Sequence, residues 1–422
     1  MNEFPRAILH LDGDAFFVAC EVARNPSLKG KPVVTGGERH IASAMSYEAK
    51  ARGVTRGMPT FQIRKVCPEA VILPSDYKTY QLYSERMYEI VRRLTGGAVE
   101  EYSIDECFAD ITGLDRERGK TFESILREIQ NSLFRELGIS FSMGLSLTKV
   151  LAKIASKHNK PKGLTLIGKS QITEHLKNLP VGKIWGIGGQ TSAYLLRRGV
   201  KTAGDFVLRG EEWVKENCAK PYHEIWLELC GVSVYKVNPH AGRVPKSLSS
   251  TGTFYPVSNE KSFIFSELSK HIEHVTHRAR MLSLAAGEVS FFLKTSNFSY
   301  QKGRVVLPHK TALPQVIVSF ARGAFDKLFD QNQNAHRKIA DRATYRATGA
   351  TLYGLLSSSQ VEQDLFGESA KLDSSNILFS AVDALSEKFG SSTIFLCSSL
   401  GSRNQKIDRK KFFNIPFLGR TH

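Results

Sequence analysis

Cysteine is scarce in this 422-residue chain. The six present, at positions 20, 67, 107, 218, 230 and 397, form no Cys-x-x-Cys pair and show no zinc-ligand spacing. That excludes a zinc ribbon and a disulfide scaffold, and it points to reduced, structural thiols in a cytosolic protein. No run of 18 apolar residues occurs, so no transmembrane helix is expected. The opening residues, with Glu3 and an early apolar strand, do not read as a signal peptide. Acidic residues are in deficit, 41 against 58 Lys and Arg, a formal charge of +17. Such a balance predicts a polyanionic partner. The excess is uneven: residues 246–355 hold 15 basic and 7 acidic residues, whereas residues 1–172 hold 25 and 20. A solvated basic surface is the plainer explanation, but nearly half the excess in a quarter of the chain favours a binding face.

Against this background two acidic stretches stand out. Tyr102-Ser103-Ile104-Asp105-Glu106-Cys107-Phe108-Ala109-Asp110 sets two adjacent carboxylates in a run that otherwise reads as a buried strand or tight hairpin. Neighbours on a strand point to opposite faces, so Asp105 and Glu106 reach one ion only if the backbone turns there. Two like charges in a half-buried setting need a counter-charge, and a hard divalent cation supplies it economically. Near the N-terminus, Ala7-Ile8-Leu9-His10-Leu11-Asp12-Gly13-Asp14-Ala15-Phe16-Phe17 is an apolar strand ending in Asp12, where the Gly13 carbonyl offers another oxygen. Read singly, either stretch is equally a solvated turn, with Asp12 capping the following helix. Together, each at the end of an apolar strand, they favour a two-metal site for in-line phosphoryl transfer built from Asp12, Asp105 and Glu106.

The two stretches resemble the metal-binding motifs of the Y-family (translesion) DNA polymerases, and the likeness continues in order to about residue 400. It implies an α+β multidomain fold. A ferredoxin-like palm would occupy residues 1–16 and 75–172, small fingers 17–74, and a helix-hairpin-helix thumb 173–236. A linker, 237–246, would lead to a β-α-β-β-α-β little-finger domain at 247–355, followed by a tail, 356–422. It also implies two Mg²⁺ ions held by Asp12, the Gly13 carbonyl, Asp105 and Glu106. The incoming deoxynucleoside triphosphate would meet Phe16, Phe17, Tyr47, Lys50 and Lys160. Phe17 aligns with the steric gate, a ring that leaves no room for a 2′-hydroxyl. Lys50 stands where many members have Arg, keeping the charge but not the bidentate fork.

Periodicity supports the same outline. Helices are expected at 15–24, 76–96, 121–137 and 148–157, and strands at 7–11, 99–104, 107–111 and 139–146. The last of these helices carries Lys149, Lys153 and Lys157 four apart, a stripe that ordinarily faces solvent. At 180–200 a short helix, the turn Gly186-Ile187-Gly188-Gly189 and a second helix read as a phosphate-gripping helix-hairpin-helix, with Gly186 and Gly188 letting backbone N–H groups approach duplex DNA. Lys246 in the linker and Arg304 in the basic domain are further expected DNA contacts.

In the tail, Gln363, Leu365 and Phe366 resemble the bacterial sliding-clamp motif. Glu362 occupies the usual Gln position in the five-residue register, and Gln360 or Gln363 needs a shifted one. A helix and a strand (Thr393 to Leu396) are expected within 371–400.

The implied activity is template-directed, low-fidelity addition of deoxynucleotides to a primer 3′-hydroxyl, in the cytoplasm at the nucleoid. Primed DNA, triphosphates and a sliding clamp would be its partners, with accessory proteins if the chain is like a polymerase V catalytic subunit rather than polymerase IV. The rival from another class is a non-catalytic DNA-binding scaffold. A nucleotide cyclase with a similar palm has no use for the helix-hairpin-helix or the basic domain.

Overall fold

A computed structural model describes residues 3–239, 245–335, 343–360, 368–389 and 393–403. These fall into two compact units, 3–239 and 245–403, which are described separately. The first unit contains strands β1 (Ile8–Gly13), β2 (Val33–Thr35), β3 (Ala44–Met45), β4 (Val71–Leu73), β5 (Val99–Ser103), β6 (Glu106–Asp110), β7 (Phe141–Ser146) and β8 (Leu164–Leu166). The principal sheet has the order β5-β6-β1-β7-β8, with β1 antiparallel to both of its neighbours. Helices Tyr77–Thr95 and Phe122–Leu137 alternate with β1, β5, β6 and β7 in the chain. This β-α-β-β-α-β arrangement is ferredoxin-like, as expected.

Strand alternation decides what faces what. Leu9 and Leu11 enter the core under the Tyr77–Thr95 and Phe122–Leu137 helices, together with Cys107, Ala109, Met143 and Leu145. Their alternates, Ile8, His10 and Asp12, therefore point to the other face. Helix Lys149–His158 covers that face, and Gly144 is what lets it come close. A Cβ there would lie 2.2 Å from Ser156 N and 2.3 Å from Ala152 O, both backbone atoms. Thr148 caps this helix through a bond from Leu151 N–H.

A small sheet, β3-β2-β4, packs with helices Tyr47–Ala51 and Thr60–Val66 around Val34, Ile63 and Cys67. Short helices from Ile172 to Leu229 enclose a separate core around Leu195, Phe206 and Leu229. In the helix-hairpin-helix region, helix Gly189–Arg197 forms as expected. The expected first helix is only a 3₁₀ turn, Val181–Lys183. Pro180 precedes it, and Gly182 and Gly186 leave no helical run between them. Gly186 has φ +91°, and a Cβ there would meet Ile225 at 2.6 Å.

Glu228, fully buried, ties this helical region to helix Lys149–His158. Its carboxylate accepts from Val150 N–H (3.1 Å), Val234 N–H (2.7 Å) and Tyr235 N–H (2.8 Å). Glu228→Ala strands three donors, so the unit should lose about 3 kcal/mol or more of stability. A lower urea midpoint would report it, with Glu228→Gln losing less because one oxygen remains.

The second unit holds β9 (Leu248–Ser258), β10 (Leu284–Thr295), β11 (Tyr300–Thr311) and β12 (Tyr345–Tyr353) in the order β11-β10-β12-β9. Helices Lys261–Met281 and Pro314–Ala335 cover one face, burying Leu268, Ile272, Phe291 and Phe325. The segment expected to be a strand at Thr393 to Leu396 is not one. It leads into a 3₁₀ turn, Cys397–Ser399, and the short helix Leu400–Arg403. These lie on helix Lys261–Met281, through Ser398 to Ser269 (2.6 Å) and Arg403 to Glu273 (3.0 Å). A helix surface has no free backbone ladder for a strand to join.

All six cysteines are unpaired: Cys20, Cys67 and Cys107 are buried, but Cys230 and Cys397 are exposed. Among the described residues no helix is long and apolar enough to cross a membrane.

Candidate active site

The two acidic stretches meet where β1 and β6 end. Asp12 and Glu106 are directly opposed in the β1–β6 register, and Ile104 and Asp105 form the two-residue turn between β5 and β6. That turn is what lets adjacent carboxylates serve one place. Gly13 N–H donates to Asp105 O at 2.9 Å, fastening the turn to the end of β1, and Ser103 Oγ donates to Asp105 Oδ1 at 2.6 Å.

Lysines supply the counter-charge. Lys160 is ion-paired with Asp12, and Lys153 with Glu106. Burial pushes the Asp12 carboxyl up to about 6, with Lys160 pulling it down and the charges of Glu106 and Asp105 adding to the rise. Burial also opposes ionisation of Glu106, but hydrogen bonds from His10 and Lys153 outweigh it and bring the group down to about 2. His10, fully buried, is driven down to about 4 chiefly by that burial. It is therefore neutral near pH 7, with Nε2 at 3.3 Å from Glu106 Oε2 and Nδ1 at 2.7 Å from Ser156 Oγ. The tautomer that satisfies both contacts carries its proton on Nε2 and donates to Glu106.

The lysine stripe of helix Lys149–His158 departs from the solvated face expected of it. Lys149 and Lys153 are each 5% exposed. Lys149 pairs with buried Glu100 at 2.6 Å, while Lys153 reaches Glu106 over the Tyr102 ring. Only Lys157 of the three is exposed. Clustered acidic groups on the facing sheet outbid water for the ammonium groups once the Gly144 contact has brought the helix down.

The remaining expected residues are distributed as follows. Phe16 is 2% exposed in the core. Phe17 is half-buried, stacked on Tyr80 at 4.6 Å and edge-on to Tyr77 at 5.5 Å. Tyr47 opens helix Tyr47–Ala51; burial and then the charges of Asp14 and Asp12 push its hydroxyl up to about 12. Lys50 is exposed on the same helix. Gly188 precedes helix Gly189–Arg197 with open space around its Cα. In the second unit Lys246 is exposed, and Arg304, on β11, pairs with Glu288 on the neighbouring β10. Gln363, Leu365 and Phe366 lie outside the described residues.

Sequence reasoning passed over His10, Asp14 and Lys153. The signal for His10 was its place two residues before Asp12, on the same strand face.

Asp12, Asp105 and Glu106 are hard oxygen donors, and the charges of Glu106 and Asp105 raise the cost of ionising Asp12, which suits a divalent cation. Among the described residues no three His, Cys, Asp or Glu side chains converge as a metal-holding group. Glu106 is turned to Lys153 and His10, Asp12 to Lys160 and Asp105 to Ser103. The backbone register already opposes Asp12 and Glu106, so the donor set fits and side-chain rotation is what loading requires.

A ferredoxin-like sheet bearing this triad, joined to a small three-stranded sheet and a helical region, defines a polymerase of the Y-family class. Residues 11–157 match the impB/mucB/samB family and residues 245–365 match that family's C-terminal domain. The chain belongs to the impB/mucB/samB family, the Y-family translesion DNA polymerases, and is a DNA-directed DNA polymerase. It is similar to DNA polymerase IV of Lactococcus lactis subsp. cremoris, 34% identical over 78% of this chain and 91% of the relative. DNA polymerase IV of Caulobacter vibrioides is 29% identical over 94% of this chain and 95% of the relative. Among solved structures, a Y-family DNA polymerase chimera of Dbh and Dpo4 matches with a TM-score of 0.70 at 20% identity, covering 83% of this chain and 99% of that one. That likeness concerns the fold. Polymerases of this family are metal-dependent nucleotidyltransferases.

Proposed function

We propose that this translesion polymerase extends a primer by low-fidelity, two-metal chemistry at Asp12, Asp105 and Glu106, in DNA damage tolerance and repair. The observation that carries the reading is the opposition of Asp12 and Glu106 across β1 and β6, with Asp105 in the adjoining turn. These three side chains and the Gly13 carbonyl would hold two Mg²⁺ ions. When bound, the ions supply activation of the primer 3′-hydroxyl and neutralisation of the triphosphate.

The protein's own groups position the substrates. Lys160 carries positive charge to the mouth of the site and, freed from Asp12, takes the β- and γ-phosphates. Tyr47 and Lys50 approach the same phosphates from helix Tyr47–Ala51. Helix Phe16–Arg24 adds the unsatisfied N–H groups of its first turn. Residues 1–16 and 75–172 act as palm, 17–74 as fingers, 173–236 as thumb and 247–355 as little finger. The Gly186 to Gly188 turn, Lys246 and Arg304 grip duplex backbone. The Gln363, Leu365 and Phe366 segment docks on a sliding clamp, and accessory proteins of a polymerase V-like complex join where full activity needs them. The protein works in the cytoplasm at the nucleoid.

The full chain with a primed template, the four deoxynucleoside triphosphates and Mg²⁺ should lengthen the primer. Chelation with EDTA should stop extension, and restored Mg²⁺ should return it. Firm binding to primed DNA without any extension, with clamp and accessory proteins also supplied, would favour the non-catalytic scaffold.

A further inference from the structure

Asp14 is the second carboxylate of the first acidic stretch, and the metal chemistry leaves it without a task. It is 3% exposed, deeper than Asp12. Its side chain turns to the loop at residues 160–163, away from the β6 carboxylates. Asp14 Oδ2 accepts from Lys162 N–H at 2.8 Å, and Oδ1 accepts from Ser142 Oγ at 2.7 Å. Ser142 Oγ in turn accepts from Gly163 N–H at 3.2 Å. The Lys160 ammonium lies 4.0 Å from Oδ1, close enough for attraction and too far for a hydrogen bond.

Each contact has a consequence. Lys162 holds φ +58°, a left-handed conformation that costs a non-glycine residue about 1–2 kcal/mol and needs outside support. The Asp14 bond to its N–H gives that support, and Gln130 Nε2 adds a weaker bond to its carbonyl at 3.3 Å. The loop so fixed carries Lys160 at its start. One buried carboxylate thus joins β1, β7 and the Lys160 loop.

Resting on the polymerase reading above, we propose that Asp14 is a positioning residue of the triphosphate pocket. It fixes the loop that carries Lys160 in one arrangement before a nucleotide arrives. A carboxylate is required because both neighbours donate. An amide keeps one accepting oxygen but presents its NH₂ to a donor, which breaks one of the two bonds.

The test compares wild type with Asp14→Asn on a primed template. Apparent affinity for the incoming deoxynucleotide should weaken about tenfold or more, with the maximal rate falling much less and the Mg²⁺ half-saturation point unmoved. The same loss should appear without chemistry, as weaker dATP-dependent retention of a dideoxy-terminated primer opposite template dT in a gel-shift titration. Lys160→Ala should weaken binding in the wild-type background and add little to Asp14→Asn. Ser142→Ala, a milder break in the same network, should shift affinity in the same direction and serves if Asp14→Asn fails to fold. A fall in maximal rate with a raised Mg²⁺ requirement and unchanged nucleotide affinity would overturn the proposal, making Asp14 a metal ligand. So would full additivity of the Lys160 and Asp14 changes. Absence of extension by wild type would instead strike the polymerase reading, leaving the two failures distinct.

Discussion

The double change Asp105→Ala/Glu106→Ala should abolish primer extension, a fall of at least about 10³-fold, while binding to primed DNA persists. Metal ions at a developing phosphoryl charge contribute several kcal/mol to the transition state, and each 1.36 kcal/mol is a factor of about ten. The double variant leaves only Asp12 of the three side chains, so both the ions and the geometry they impose are lost. Removing Glu106 also leaves Lys153, 5% exposed, without its partner. A buried uncompensated ammonium destabilises by several kcal/mol, so alanine alone confuses lost chemistry with lost structure. The isosteric pair Asp105→Asn/Glu106→Gln removes the charges and keeps the contacts with Ser103 and His10. It should be as inactive as the alanine pair yet melt closer to wild type. Single-nucleotide extension with excess enzyme, beside a thermal melt of each variant, separates the two effects. Extension by the isosteric pair near the wild-type rate would move the chemistry away from this site.

Much of that site was legible in the residue order, and the reason is geometric. An apolar strand ending in Asp12, and a hairpin forced to turn between Ser103 and Glu106, are local events governed by side-chain alternation. Two such strands beside each other bring their ends together without further instruction. The illegible parts depend on contacts far apart in the chain. Lys149 and Lys153 look like a solvated stripe because nothing near them in sequence says that Glu100 and Glu106 face them. Only the sheet order and the absent side chain at Gly144 make that approach. Asp14 looks like a spare member of an acidic pair for the same reason: its donors lie 128 and 148 residues away, at Ser142 and Lys162. The misread strand at Thr393 to Leu396 is the opposite case. Its β-branched and aromatic residues satisfy a local propensity, but the segment lies on a helix, where no ladder partner exists.

Phe17→Ala should open the site to ribonucleotides. Discrimination between deoxyribo- and ribonucleoside triphosphates should fall on the order of 10²-fold, about 2.7 kcal/mol. The ring lies one residue along the helix from buried Phe16, so the helix turn sends one aromatic into the core and leaves the other at the edge of the cleft. Tyr80 stacks beneath it at 4.6 Å, nearly parallel at 13°, and Tyr77 closes its flank at 5.5 Å. If Phe17 is the steric gate, a ring held on two sides would not swing away from an added 2′-hydroxyl. Tyr80 is itself fixed by its hydroxyl bond to Glu21 at 2.8 Å, which makes the stack rigid. Single-nucleotide insertion of dCTP and CTP opposite template dG gives the ratio of kcat/KM directly. The ribonucleotide value should rise and the deoxyribonucleotide value change by less than about tenfold. Tyr80→Ala should then relax discrimination partway, because Phe17 keeps its bulk but loses its support. An undiminished preference in Phe17→Ala would show that sugar selection resides elsewhere, and Tyr80→Ala would leave discrimination untouched as well. A shared fall in both insertion efficiencies would instead make Phe17 a packing residue of the helix start.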